Sequence, residues 1–255
     1  MGERGGEIAQ THGKERVVLM QFGERYAKVY DIIYANKDYK KEVSFLDEVI
    51  QRYAWKVRGK PIEVIDIGCG TGRHAELLQA RGYKVFGVEL SPYMAEIARE
   101  RGIDVHVGKV CEIDEIFDVG IAMFNVMGYI GADRFELLKT LEWAYDHCLG
   151  AFVFDFWNAK VVLTEGLKPT ARDVGGIRRM AVPQKINLDN TVEICITVRK
   201  GKDEFSETHK IRFYFIDEIY MLLKAVGFSE IQFYKPWGFE EADDNDFLVV
   251  CVAVG

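Results

Sequence analysis

The chain has 255 residues, 49% of them hydrophobic, enough for one large core or for one core carrying a small appended subdomain. A formal net charge of -7 and a pI near 5.4 work against a polyanionic partner, because nucleic-acid binding draws on Lys and Arg meeting phosphates. Cys69, Cys111, Cys148, Cys195 and Cys251 form no CxxC pair and suit neither a disulfide framework nor a zinc knuckle, which points to a reducing, cytoplasmic setting. The longest apolar stretch, Phe247 to Val254, fits a strand and is far short of the roughly 20 residues that a membrane helix needs.

Residues 1–20, rich in Gly and charge and lacking an apolar signal-peptide core, read as a disordered extension, with Met20 as an alternative start. Tyr26, Val29, Tyr30 and Ile33, then Val43, Leu46, Ile50 and Tyr53, recur at helical spacing and predict two amphipathic helices. Ile62 to Ile67 is a β-branched run ending in glycines, followed by a short helix from Arg73 to Ala80 that Gly82 stops. Lys84 to Leu90 predicts a second strand, and Ser91 with Pro92 supplies a cap and first-turn proline for a helix ending near Gly102. Val105 to Val107 and Asp118 to Phe124 are strands three and four. Asp133 and Glu136 open a helix to Cys148, and Ala151 to Phe156 is strand five.

Strands alternating with helices imply a parallel, doubly wound α/β sheet. The rhythm then changes, because Ile177 to Lys185, Thr191 to Arg199 and Phe205 to Phe215 are extended segments joined by turns at Asp189-Asn190 and Gly201-Lys202. These predict an antiparallel insertion, about residues 172–215. A helix from Asp217 to Ala225 and two strands, Ile231 to Tyr234 and Phe247 to Ala253, close the sheet. Residues 21–255 are therefore expected to form a single domain.

The chemical signal is Asp66-Ile67-Gly68-Cys69-Gly70-Thr71-Gly72, at the carboxyl end of the first strand, where an open α/β sheet binds ligands. Alternating glycines permit positive φ and bring bare backbone close to a ligand. Arg73 occupies the place of the third glycine of the dinucleotide fingerprint, so the spacing is GxGxG and a hydride-transfer cofactor is disfavoured. Glu89 ends the second strand 21 residues after Gly68, where a carboxylate can accept from both hydroxyls of a ribose. Spacing and acidic residue together indicate a nucleoside and do not by themselves separate S-adenosylmethionine (SAM) from NAD.

Val64 to Gly72 resembles the first motif of class I SAM-dependent methyltransferases, and Val85-Phe86-Gly87-Val88-Glu89-Leu90-Ser91 is similar to the second. The resemblance implies a Rossmann-like, seven-stranded sheet with its last strand antiparallel, N-terminal lid helices and SAM as cofactor. Asp66, Gly68, Cys69, Gly70 and Gly72 would wrap its amino-acid part, Glu89 would hold the ribose, and Leu90 and Met94 would flank the adenine. Over about residues 22 to 254 the chain is similar to the branch of deoxysugar N,N-dimethyltransferases and glycine N-methyltransferase-like enzymes. Val29 to Tyr34 resembles that branch's lid helix, Met123 to Tyr129, with Asn125, its fourth-strand end, and Phe205 to His209 its inserted strands. A small-molecule methyl acceptor follows, and a homodimer is compatible. One departure is Lys109, where the family usually has an Asp that accepts from the adenine amine. Glu112 or a carbonyl near Val110 replaces that contact, or affinity is weakened.

Methyl transfer from a sulfonium mainly requires alignment, plus a base if the nucleophile arrives protonated. His209, on the insertion, is the first candidate base, with an ordinary strand histidine as the alternative. His74 suits cofactor contact or helix capping, and His106 and His147 read as structural. Tyr30 would line the pocket as a catalytic and cofactor-contacting aromatic, or serve simply as core. No metal is expected: Asp155 and Asn158 only partly meet the needs of a Mg²⁺ site, and Asp243, Asp244 and Asp246 read as a solvated turn. Asn125-Val126-Met127-Gly128 lacks the prolines of enzymes acting on base amines or amides. An RNA or protein acceptor would need Lys40, Lys41, Arg178 and Arg179 gathered at the cofactor mouth. A further alternative is a SAM-binding module without transfer activity.

Overall fold

The computed structural model describes residues 21–54 and 61–255, so the extension expected over residues 1–20 lies outside the described residues. Two helices come first, α1 (Glu24–Ile33) and α2 (Tyr39–Tyr53), the second capped by Asp38, which accepts from the Lys41 N–H at 3.0 Å. There follow β1 (Glu63–Ile67), α3 (Arg73–Gln79), β2 (Lys84–Glu89), α4 (Pro92–Glu100) and β3 (Asp104–Val107). Ser91 accepts from the Met94 N–H at the start of α4, and Pro92 sits in the first turn, as its fixed φ favours. Next come β4 (Phe117–Ala122), α5 (Val126–Ile130), α6 (Arg134–His147), β5 (Cys148–Trp157) and α7 (Ala159–Glu165). The insertion is β6 (Thr170–Val174), β7 (Ile177–Ile186), β8 (Thr191–Lys200) and β9 (Asp203–Arg212), and the chain ends with α8 (Ile216–Val226), β10 (Glu230–Tyr234) and β11 (Leu248–Val254).

The main sheet has seven strands in the order β10-β11-β5-β4-β1-β2-β3, with β11 antiparallel to β5 and β1 to β5 parallel. β4 is buried along its whole length because both faces are covered, which is why it reads as a continuous apolar run and not as an alternation. One core lies between the sheet and α2 to α4 (Leu46, Ile50, Leu78, Ala98), another between the sheet and α6 and α8 (Leu141, Phe154, Leu223). A third belongs to the lid. Tyr26, Tyr30 and Ile33 of α1 pack with Ile177, Ile194 and Ile196 of the insertion and with Met94.

Three elements differ from the sequence expectation. α5 is a single turn of helix hidden behind Phe124 and Asn125, both at positive φ, and five residues carry no readable period. α7 and β6 fill the stretch between strand five and the insertion, so the second sheet has four strands where three were expected. β9 stops at Arg212 because Phe215 already caps α8.

Candidate active site

A cavity of about 1140 Å³ opens where the carboxyl ends of β1, β2, β3, β4 and β5 meet α1 and the insertion. It exceeds the roughly 300–1,000 Å³ of ordinary ligand pockets and has room for two ligands side by side. Gly68 and Gly70 border it from the β1–α3 loop, and Glu89, Leu90 and Ser91 from the end of β2.

The three glycines of that loop serve different ends, although each has φ between 58° and 79°. A Cβ on Gly72 would meet Ala98 and Ile103 at 3.1 Å, so this glycine lets α3 pack on α4. A Cβ on Gly68 would lie 2.7 Å from the methyl carbons of Val126, which brings the loop against the end of β4. At Gly70 an added Cβ would meet only Met94 Cε, at 3.6 Å, so this glycine alone leaves open space. Cys69 contributes no side chain to the cavity, because its Sγ packs against Gly87 of β2.

Glu89 accepts from the Gly70 N–H at 2.9 Å and from the Ser91 N–H at 2.8 Å, which ties the two loops together. Burial pushes its carboxyl up, and those N–H groups oppose the shift. Asp66 is 2% exposed with no hydrogen-bond partner for Oδ2. Burial, then the nearby Glu89, pushes its carboxyl up to about 8. A buried acceptor without a donor is costly, but Asp66 does not border the cavity and lies behind the glycine loop, so the cofactor contact expected of it from sequence is not a direct one in this arrangement.

The lid is strapped to this machinery at both ends. Ser91 Oγ donates to the Phe22 carbonyl at 2.6 Å, and the Phe22 and Gly23 N–H groups donate to Glu207 of β9 at 3.1 and 3.0 Å. In the last turn of α1, Thr71 Oγ1 donates to Asp31 at 2.7 Å, and Arg101 pairs with the same carboxylate. Tyr30 projects from α1 into the cavity, its ring centroid 4.7 Å from that of Tyr34. Burial pushes its phenol so far up that it stays protonated at neutral pH, so it can offer an O–H and a ring face but not a phenolate.

Two histidines lie elsewhere than the sequence reading places them. His209 is fully buried, and both ring nitrogens are engaged, Nδ1 with Tyr129 Oη at 3.0 Å and Nε2 with Glu207 at 3.2 Å. It stands behind Tyr129 as part of the lid anchorage and does not border the cavity, so it is not positioned to meet an acceptor directly. His74 turns away from the glycine loop and meets Glu42 of α2 at 2.7 Å. Leu90 is 62% exposed at the cavity edge, and Met94 and Asn125 also line the cavity. Lys109 pairs with Glu136 at 2.9 Å, while Glu112 turns to His106 at 2.8 Å, leaving backbone at Gly108 to Cys111 against the cavity. Of Lys40, Lys41, Arg178 and Arg179, only Arg179 lines the cavity; Arg178 faces Asp173, and the two lysines are exposed.

A polar group at the far end was not assembled from sequence. Lys37, Glu42 and Asp155 all border the cavity, Lys37 is ion-paired to Glu42, and Lys37 Nζ lies 4.2 Å from the Tyr39 ring centroid. Burial pulls the Lys37 ammonium and the His74 imidazolium down. Nothing local advertises this group, because its members are 118 residues apart in the chain and only the fold brings them together.

Residues 64–144 match the family described as methyltransferase domain. This chain is a SAM-dependent methyltransferase. The enzyme is 27% identical over 217 residues, covering 80% of this chain and 83% of the relative, to a dTDP-3-amino-3,6-dideoxy-alpha-D-glucopyranose N,N-dimethyltransferase of Streptomyces fradiae. It is 26% identical over 216 residues, 79% of this chain and 89% of the relative, to a dTDP-3-amino-3,4,6-trideoxy-alpha-D-glucopyranose N,N-dimethyltransferase of Streptomyces venezuelae. Its fold matches the crystal structure of a SAM-dependent methyltransferase from Clostridium acetobutylicum with a TM-score of 0.75 at 22% identity, covering 91% and 98% of the two chains.

Proposed function

We propose that the enzyme methylates an amine nitrogen of a small metabolite, with residues 21–255 acting as one unit and the insertion forming the acceptor side. The observation that carries this reading is the shared cavity, in which a glycine loop suited to SAM and a walled acceptor space lie under one strapped lid. An RNA or protein acceptor would need Lys40, Lys41, Arg178 and Arg179 gathered at the cavity mouth, and three of these four lie outside the cavity lining. Bound SAM supplies an electrophilic methyl group with a neutral thioether as leaving group.

The chain's own residues would then bind and align. The bare backbone of Gly68 and Gly70, which borders the cavity, would accommodate the cofactor's amino-acid part. Glu89 would accept from the ribose hydroxyls, Leu90 and Met94 would flank the adenine, and the backbone near Val110 would take the contact that Lys109 cannot make. Two relatives named for aminosugar substrates support nitrogen as the site of transfer. Arg172 and Arg179 are register partners across β6 and β7 and both line the cavity, which suits an acceptor carrying phosphate, as the dTDP-linked sugars of those relatives do.

Isothermal titration with SAM and S-adenosylhomocysteine tests the first half of the reading; no binding at millimolar ligand would refute it. Replacing Glu89 with Ala is expected to weaken SAM binding by about 1–3 kcal/mol, the loss of charge-assisted hydrogen bonds. The same titration checks it, and an unchanged Kd would place the ribose elsewhere.

A further inference from the structure

Amine methylation requires a neutral nitrogen, whereas an aliphatic amine arrives as an ammonium at neutral pH. Somewhere in the cavity a group must accept that proton or a path to water must exist. His209 is walled off behind Tyr129, and Tyr30 is held as a neutral phenol. Glu42 lines the cavity but is already committed to Lys37 and His74.

Asp155, next to the last-but-one residue of β5, is different. It borders the cavity at 1% exposure, and its Oδ1 accepts from the Asn125 N–H at 2.6 Å. The charged groups facing it are Glu42, which disfavours its ionisation, and Lys37, which favours it. Because Lys37 and Glu42 already neutralise each other, and burial keeps His74 toward its neutral form, the ionised Asp155 is the one unbalanced carboxylate of this cluster. A buried anion facing a cavity calls for a cationic ligand.

A second observation converges on the same point. Phe124 and Asn125 are consecutive non-glycine residues at φ 72° and 61°, a conformation that Asn tolerates but that costs a Phe of order 1–3 kcal/mol and persists where the surrounding structure fixes it. It aims the Asn125 N–H at Asp155, and it leaves the Asn125 side chain 4% exposed with neither Oδ1 nor Nδ2 hydrogen-bonded. The adjacent residue, Val126, is the one pressed against Gly68 of the cofactor loop. Cofactor loop, strained turn and carboxylate are thus contiguous.

We propose that Asp155 binds the acceptor's ammonium nitrogen and takes its proton before transfer, with Asn125 as the residue that positions it. The proposal rests on the amine-methyltransferase reading above. The ammonium passes one proton to the Asp155 carboxylate, and the freed nitrogen lone pair forms the N–C bond. The C–S electron pair leaves with sulfur as neutral S-adenosylhomocysteine. The methylated ammonium departs and Asp155 releases its proton to solvent, one per turnover. Burial, opposed chiefly by the Asn125 N–H, pushes the Asp155 carboxyl up to about 7, close to the working pH and so suited to a reversible base.

The test follows S-adenosylhomocysteine release by the full chain between about pH 6 and pH 9. The amines supplied are dTDP-3-amino-3,6-dideoxy-α-D-glucopyranose, glycine, histamine and spermidine, with dTDP-glucose as the hydroxyl counterpart. At least one amine is expected to be methylated, with kcat/KM falling on the acid side of about pH 7. Asp155→Asn should lower kcat/KM by about a hundredfold and lose that acid limb, while SAM affinity is unchanged. Asp155→Glu should recover part of the activity and shift the limb, which a merely structural role would not do. Retention of activity within about threefold in Asp155→Asn, an unaltered acid limb, turnover of dTDP-glucose alone, or SAM binding without turnover of any amine would overturn the proposal. Failure to bind SAM at all would overturn the reading beneath it as well.

Discussion

Substituting Gly70 with Leu is expected to abolish SAM binding while leaving the protein folded. Gly70 sits at φ +58°, where an L-residue pays about 1–2 kcal/mol, so a drop in Tm of only a few degrees is expected for a chain of this size. The nearest protein atom to an added Cβ is Met94 Cε at 3.6 Å, so the protein itself does not resist the new side chain. The side chain would instead stand in the space assigned to the cofactor, and SAM affinity should fall by at least about a thousandfold, more than 4 kcal/mol. Gly72→Leu separates packing from binding: its Cβ would press on Ala98 and Ile103 at 3.1 Å, so Tm should fall more steeply. Titration calorimetry and thermal unfolding on the same samples read both effects. Full SAM affinity in Gly70→Leu would contradict the placement of the cofactor.

That prediction could be made from sequence, whereas the one concerning Asp155 could not, and the difference is physical. The glycine loop and Glu89 are legible because local backbone geometry demands particular residues: positive φ favours glycine, and a carboxylate at a strand end has a fixed direction. The alternation of strands and helices is legible from their periods and implies the parallel, doubly wound sheet, while the seventh, antiparallel strand is what the family resemblance implies; the structure shows both. The insertion was legible through its turns at Asp189-Asn190 and Gly201-Lys202, but β6 was missed because Thr170–Val174 is mostly exposed and carries no apolar alternation. His209 illustrates the opposite error. It lies on the expected inserted strand, yet which face of β9 it occupies, and that Tyr129 stands before it, depends on packing between elements 80 residues apart. Asp155 looked like a fragment of a metal site because sequence shows the carboxylate and its neighbours in the chain but not the Asn125 N–H beneath it. Residues 30 and 34 were readable as a helical face, while their place in the cavity wall depends on the insertion that closes over α1.

Replacing Glu42 with Ala is expected to produce the largest loss of stability, about 3 kcal/mol or more, because it strands a buried ammonium. Glu42 is 4% exposed and is shared by Lys37 and His74, the latter at 2.7 Å. For a chain of this length that corresponds to a Tm lower by roughly 10 °C near neutral pH. The pH dependence identifies the cause. Burial works against an ionised Glu42, but the His74 hydrogen bond and the neighbouring Lys37 ammonium outweigh it and hold the carboxyl below its ordinary 4.5. A carboxyl depressed in the fold contributes stability that is complete above its unfolded pKa and is lost as pH falls through the folded one. The gap in Tm between the parent and Glu42→Ala should therefore be widest at and above about pH 6 and narrow steadily below about pH 4.5. Asp66 and Asp155 act in the opposite sense, since their raised carboxyls lose stability as pH climbs from the ordinary 3.8 toward about 8 and about 7. Asp66 is the same in the parent and in the variant, whereas Asp155 loses the repulsion of Glu42 in the variant; that change acts toward about pH 7, above the acid range in which the Glu42 gap closes. A gap that stays constant across the acid range would show that Glu42 acts through packing and not through its charge.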